Sequence, residues 1–263
     1  MTLPIAVYGA LGRMGRAVAR LAGEAEDLEI VAAWEHSEHP ALGTPHPDTA
    51  GVMVTAPGHG GPTPRAVVDF STPTGAREAL EVARLGGAAF VSGTTGLDAA
   101  FHTLAAQAAR DIPVLVAPNM SAGIYILRRL TETLLSLVGN DPDFDLEIAE
   151  IHHGRKTDAP SGTALQLLEA IRTHRSIRPV HGREGAPGPR QDDELGCHAI
   201  RGGDVVGEHT LYAFGQGERL ELTHRATSRD VFARGALRAA RWCSQRAPGM
   251  YGMDDLFASA ERP

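Results

Sequence analysis

Three glycines spaced three residues apart, Gly9, Gly12 and Gly15, stand where the apolar run Ile5 to Tyr8 gives way to the helix-patterned stretch Arg13 to Ala22. Small residues at a strand-to-helix turn leave backbone N–H groups open to an anion and let a pyrophosphate approach closely. The spacing is G-x-x-G-x-x-G, not the commoner G-x-G-x-x-G, so by itself it also fits a tight turn under a closely packed helix. The next element narrows the choice. Leu28 to Trp34 reads as a second strand, and Glu35 ends it twenty residues beyond Gly15, where a carboxylate can accept hydrogen bonds from an adenosine ribose. A bare surface glutamate is the plain alternative.

The same rhythm continues. Ala66 to Phe70, Ala88 to Ser92 and Val114 to Ala117 read as buried strands, with helices predicted over Gly75 to Leu85 and Asp98 to Arg110. Strands alternating with helices specify a parallel sheet covered on both faces. The Pro- and Gly-rich stretch from His39 to Arg65 reads as a surface excursion holding a short strand at Gly51 to Thr55, and nothing in it points to a function.

Beyond Ser121 the pattern changes. A helix over Ile124 to Val138, a strand over Phe144 to His152 and a helix from Thr163 to Ile177 precede an exposed loop, Arg178 to Glu194. Then come strand-like runs at Cys197 to Arg201, Val205 to Phe214 and Arg219 to His224, joined by short turns, which points to antiparallel pairing in a second, α+β domain. The sequence alone does not place the last helix, Val231 to Gln245.

The composition excludes several partners. A chain of 263 residues with 43% hydrophobic content can bury its own core, and no run approaches the length of a membrane span. A formal charge of −7 argues against nucleic acid, whose binders need surplus basic charge. Two distant cysteines, Cys197 and Cys243, give no disulfide framework, and Met1 to Ala10 lacks the basic start of a signal peptide; both fit a cytoplasmic location.

Ligands in open parallel sheets bind beyond the carboxyl ends of the strands. Those ends read Asp69-Phe70-Ser71-Thr72-Pro73, Gly93-Thr94-Thr95-Gly96 and Ala117-Pro118-Asn119-Met120-Ser121, all small, polar or turn-forming. Each alone is an ordinary turn, but together they line one rim.

The densest chemistry joins a strand to a helix, from His152 and His153 through Lys156 to Pro160-Ser161-Gly162-Thr163. Adjacent side chains on a strand point to opposite faces, so the two histidines are badly placed to chelate one ion, and no metal is expected. A pair of structural histidines is the plain reading of either alone. Lys156, however, is the only lysine among 25 basic residues. Compositional bias explains the arginines but not this survivor, whereas a proton donor would resist replacement by an arginine that stays protonated. Ser161 or Thr163 can cap the following helix, whose free N–H groups and positive dipole end suit a carboxylate or phosphate. Imidazoles, an ammonium and a helix N-terminus together suit a small dianion that must be protonated after receiving a hydride.

Gly12-Arg13-Met14-Gly15, Asp69-Phe70-Ser71, Gly93-Thr94-Thr95-Gly96, Ala117-Pro118-Asn119, His152-His153 through Lys156 to Ala164, and Gly203-Asp204-Val205-Val206-Gly207-Glu208-His209-Thr210 resemble the dihydrodipicolinate reductase family. The resemblance runs in order from about residue 3 to Met253-Asp254-Asp255-Leu256. It implies an α/β fold: a Rossmann-like parallel-sheet domain, residues 1–122 completed by 233–263, and an α+β domain with an open mixed sheet, residues 123–232, that assembles a homotetramer. It implies reduction of the unsaturated ring formed from 4-hydroxy-tetrahydrodipicolinate, a small dicarboxylate, by NADH or NADPH in lysine and diaminopimelate biosynthesis. His152 and Lys156 would be the acid/base and proton-donor residues, with His153, Gly162 and Thr163 holding a substrate carboxylate. The cofactor contacts would be Gly9, Ala10, Leu11, Gly12, Arg13, Met14, Glu35, Gly93, Thr94, Thr95, Ala117, Pro118, Asn119 and Met120.

His36 departs from the arginine that often follows the ribose-binding acid in members that use NADPH well. An imidazole grips a 2′-phosphate less firmly than a guanidinium, so the expected preference is NADH. Two other readings remain open. An aspartate or homoserine dehydrogenase would share the glycine loop but not the segment around Lys156, and a catalytically silent NADH sensor would bind without turnover.

Overall fold

The computed structural model describes residues 2–59, 61–138, 141 and 143–258. Its first stretch runs β1 (Leu3–Tyr8), α1 (Arg13–Gly23), β2 (Leu28–Trp34), β3 (Val54–Thr55), β4 (Ala66–Asp69), α2 (Pro73–Gly86), β5 (Ala89–Ser92), α3 (Ala99–Ala108) and β6 (Pro113–Val116). A second stretch follows with α4 (Ala122–Val138), β7 (Asp145–His152), α5 (Gly162–Arg172), β8 (Arg178–Val180), β9 (Glu194–Arg201), β10 (Gly207–Gly215) and β11 (Glu218–Ala226). The chain ends with α6 (Asp230–Cys243), β12 (Gly249–Tyr251) and α7 (Met253–Ala258). These elements form two compact units: residues up to Ser121 together with those from Arg229 onward, and Ala122–Ser228. Residues 1 and 259–263, which the expected domain boundaries also take in, lie outside the described residues.

The first unit holds a parallel sheet in the order β12-β6-β5-β4-β1-β2-β3. Its strands are short apolar runs whose residues alternate between two helical layers. Ile5, Val7, Val68 and Leu115 pack with Val18 of α1 and Leu237 of α6, while Ala6, Tyr8, Val67 and Phe90 pack with Leu80 of α2 and Phe101 of α3. Each fully buried Leu or Phe of this kind stabilises the fold by roughly 1.5–3 kcal/mol. Local signals fix the helices that cover the sheet. Thr72 caps α2 by accepting from the Gly75 N–H, Pro73 opens its first turn, and Gly87 ends it in the left-handed region. The strand order reverses at β1, between β4 and β2, which places a crevice beyond the carboxyl ends of β1 and β4. α6 and β12, which the sequence left unplaced, belong to this unit, where β12 extends the sheet beside β6.

The second unit holds a mixed sheet in the order β11-β10-β7-β9-β8. β10 is antiparallel to β11 and β7, as the hairpin-like pattern predicts. β9 corrects that pattern: it lies beside β7, in parallel, and not beside β10. Cross-strand charge accounts for the choice, because Glu147 and Glu150 of β7 meet His198 and Arg201 of β9 at 2.7 Å. The predicted loop also contains a strand, β8, parallel to β9. Along β7 buried and half-buried residues alternate, so Leu146 and Ile148 join Leu167, Leu195 and Leu211 in the core under α4 and α5. The opposite face carries Glu147, Ala149 and Ile151, all half-buried.

Candidate active site

Two clefts flank Phe70 and Ser71 at the crevice of the first unit. The larger, about 640 Å³, is bounded by Gly9, Leu11, Gly12, Glu35, His36 and His39 among others. Gly9 takes φ of +74°, and a Cβ there would sit 2.6 Å from the Phe70 carbonyl oxygen. At Gly15 a Cβ would sit 2.1 Å from the Gly9 carbonyl oxygen, so the first turn of α1 lies directly against the loop. Glu35 is buried, and its Oε1 accepts from the Leu11 N–H at 2.7 Å. A backbone cradle of this shape beside a carboxylate fits a dinucleotide, with pyrophosphate over the glycine turn and a ribose at Glu35.

The smaller cleft, about 410 Å³, gathers Arg13, Met14, Gly93, Thr94, Thr95, Pro118, Asn119 and Met120 with Arg229 and Phe232. The sequence therefore placed most of its cofactor residues on one rim. Ala10 and Ala117 are buried and line neither cleft. Their backbone groups are already engaged: Ala10 N–H donates to Trp34, the Ala10 carbonyl bonds His46, and Ala117 N–H donates to Ser92.

Two features of this unit escaped the sequence reading. Asp69 is fully buried, and its carboxylate accepts from the hydroxyls of Ser71 at 2.5 Å, Ser92 at 2.6 Å and Thr94 at 2.8 Å. Burial pushes its pKa up, although the three hydroxyls pull against that. The cluster ties the ends of β4 and β5 into one rigid rim. His46, from the excursion given no role, is also buried: its Nδ1 accepts from Asp48 N–H, and its Nε2 donates to the Ala10 carbonyl at 3.0 Å. The excursion thus braces the glycine loop from behind.

In the second unit His152 ends β7 on the helix-covered face, 8% exposed. Its Nδ1 lies 2.6 Å from Oε2 of Glu150, two residues earlier on the same face. Burial lowers the imidazole pKa, Glu150 pulls it back up, and Lys156 and Arg201 push it down. His209 of β10 packs edge-on against His152 at 5.1 Å and bonds the Ser161 hydroxyl at 3.0 Å. Burial holds its pKa down at about 3, so it stays neutral.

Lys156 lies in the loop after β7, its ammonium 2.9 Å from the exposed Asp158 carboxylate. Ser161 caps α5 by accepting from Ala164 N–H, leaving Gly162 and Thr163 in its first turn. His153 N–H donates to the Val205 carbonyl, while its Nδ1 is buried without a hydrogen-bond partner. Among the described residues no group of three His, Cys, Asp or Glu side chains could hold a metal ion. No helix of the described residues is long and apolar enough to cross a membrane.

Family models described as the N-terminus and the C-terminus of dihydrodipicolinate reductase match residues 3–120 and 123–257. The chain belongs to the dihydrodipicolinate reductase family. It is 43% identical over 269 residues to the 4-hydroxy-tetrahydrodipicolinate reductase of Aquifex aeolicus, covering 98% of this chain and 99% of that one. With the enzyme of the same name from Citrifermentans bemidjiense it shares 41% over 264 residues, covering 96% and 98%. A solved structure of dipicolinate-bound dihydrodipicolinate reductase from Paenisporosarcina sp. TG-14 has the same fold, with a TM-score of 0.75 at 23% identity over 96% of this chain and 98% of that one. As a member of this family the chain is an oxidoreductase that draws on a nicotinamide dinucleotide.

Proposed function

We propose that this reductase converts 4-hydroxy-tetrahydrodipicolinate to tetrahydrodipicolinate with a nicotinamide dinucleotide, in lysine and diaminopimelate biosynthesis. The observation that carries the reading is the short segment that runs from the buried His152 at the end of β7, through Lys156, to the capped N-terminus of α5, with the His152 imidazole pKa lowered by burial first and by the Lys156 charge in addition. The dinucleotide supplies a hydride to the unsaturated ring left when the 4-hydroxyl departs as water. The chain's own residues do the rest. Gly162 and Thr163 at the α5 terminus, with His153, hold a carboxylate of the substrate. His152 and Lys156 hold the proton that the ring carbon takes up after hydride addition. Residues 1–122 with 233–263 would bind the dinucleotide, and residues 123–232 the substrate.

NADH is the proposed preference. His36 and His39 meet edge-on at 5.2 Å at the rim of the Glu35 cleft, and no arginine lines that cleft. Arg13 lines the other cleft. The half-buried face of the mixed sheet, with Ala149, Ile151 and Tyr212, suits a homotetramer interface, which light scattering checks. A cytoplasmic location completes the reading, as expected for a biosynthetic enzyme with two buried free cysteines.

The deciding experiment follows NADH and NADPH oxidation on adding freshly generated 4-hydroxy-tetrahydrodipicolinate. Fast turnover supports the reading. Tight dinucleotide binding without turnover would replace it with a sensor.

A further inference from the structure

We propose that Glu150 is a positioning residue that holds His152 as the Nδ1–H tautomer, so that Nε2 is the ring atom exchanging protons with substrate. The inference rests on the role given to His152 above and adds the device that sets its direction.

Four donors converge on the Glu150 carboxylate, which is fully buried. Arg201 presents both terminal guanidinium nitrogens, each at 2.7 Å from a different oxygen. The Ser161 N–H reaches Oε1 at 3.0 Å, and His152 Nδ1 reaches Oε2 at 2.6 Å. A carboxylate gripped by a guanidinium fork stays ionised and can only accept. The imidazole nitrogen facing it must therefore carry a proton. One residue thus ties together the end of β7, a strand neighbour on β9 and the cap of α5, where the substrate carboxylate is expected to bind.

Every group packed about the ring agrees with this assignment. From β7 there is the Glu150 anion, and from β9 the Arg201 cation, already engaged by Glu150. From β10 there is His209, whose Nε2 is engaged by Ser161 and whose ring stays neutral. From the following loop comes Lys156, paired with Asp158. None of these contacts occupies Nε2. Gly207 of β10 leaves that atom its space, since a Cβ there would sit 2.9 Å from it.

The resting ring is neutral, with its lone pair at Nε2. It takes a proton there from solvent, becomes an imidazolium steadied by Glu150, and releases the same proton to the ring carbon that hydride addition has made basic. Charge and proton balance at each stage, and Nδ1 never gives up its hydrogen. This division of labour needs the carboxylate, because an amide could face Nδ1 as donor or acceptor.

Neutron diffraction from deuterium-exchanged crystals of the full chain tests the assignment directly and needs neither variant nor substrate. A deuteron on His152 Nδ1 beside an ionised Glu150 is expected. A bare Nδ1 or a protonated Glu150 overturns the proposal. A second measurement compares wild type with Glu150→Gln. The inflection of kcat that reports His152 should move to lower pH, because the anion that raises the imidazole pKa is gone. At the optimum kcat should fall roughly a hundredfold, a typical loss for general acid–base catalysis, with NADH affinity unchanged. An inflection that stays in place overturns the proposal even if kcat falls. Because the neutron result does not depend on turnover, a failure of the substrate reading and a failure of this one are separately visible.

Discussion

The two units put different chemistry at their candidate sites. In the parallel-sheet unit the candidate site is largely backbone: the glycine turn, whose Gly9 and Gly12 N–H groups are held by the Trp34 and Gly9 carbonyls, and strand-end loops tied together behind the clefts by the buried Asp69 and its three hydroxyl partners. In the mixed-sheet unit it is an arrangement of ionisable side chains, His152, Glu150, Arg201 and Lys156, each tuning another. The first is a fixed frame of turns and hydrogen bonds. The second is built to change its own protonation, and its polar network carries the corresponding risk of instability.

The contrast breaks most sharply at Lys156. Lys156→Ala should lower kcat by roughly a thousandfold while leaving the NADH dissociation constant within about twofold, measured by stopped-flow turnover and fluorescence titration. Gly15→Ala should do the reverse. A methyl group 2.1 Å from the Gly9 carbonyl oxygen forces α1 off the loop, costing about 1–3 kcal/mol of stability and most of the cofactor affinity.

A third test sharpens the difference in pH response. The folded pKa values of His209, about 3, and of His152 lie below the value near 6.5 expected in the unfolded chain. Protons therefore bind the unfolded chain first, so stability is complete above pH 6.5 and declines as pH falls toward 3. His209→Gln should reduce the dependence of melting temperature on pH in that window, removing up to about 1.4 kcal/mol per pH unit. The smallest effect belongs to the ribose end of the first unit. His36→Arg should raise kcat/KM for NADPH relative to NADH by about tenfold, since a guanidinium pairs with a 2′-phosphate in a bidentate fork.

How well each region could be read from sequence follows from the same physics. Parallel strands covered on both faces are nearly continuous apolar runs, so Leu28–Trp34 has the same limits in pattern and structure, and the other predicted strands of this sheet differ by only a few residues, whereas the three-residue edge strand β12 was not predicted. Loops at the carboxyl ends of those strands are local in sequence, and most of their residues do line the two clefts. What stayed hidden is what only packing creates. Nothing near His46 in sequence says that it reaches back 36 residues to the Ala10 carbonyl. Glu150 is an ordinary strand residue until β9 brings Arg201 to it, and His209 is one until β10 sets it against Ser161 at the cap of α5. The pairing of β9 was misread because short turns suggest hairpins, while the charges that select β7 lie far apart in the chain. One signal was available: Glu150 and His152 share a strand face at i and i+2.

The parallel-sheet unit is written in two pieces with an entire second unit spelled out between them. During synthesis the mixed sheet and its two helices can be complete while α6 and β12 have yet to emerge. Until then the sheet face bearing Val68, Val91 and Leu115 lacks one of its two helical covers. A truncated product would therefore present a finished mixed-sheet unit joined to an exposed apolar surface, the kind of patch that chaperones and proteases recognise. The late return of the chain makes completion of the parallel-sheet unit wait until α6 and β12 have been made.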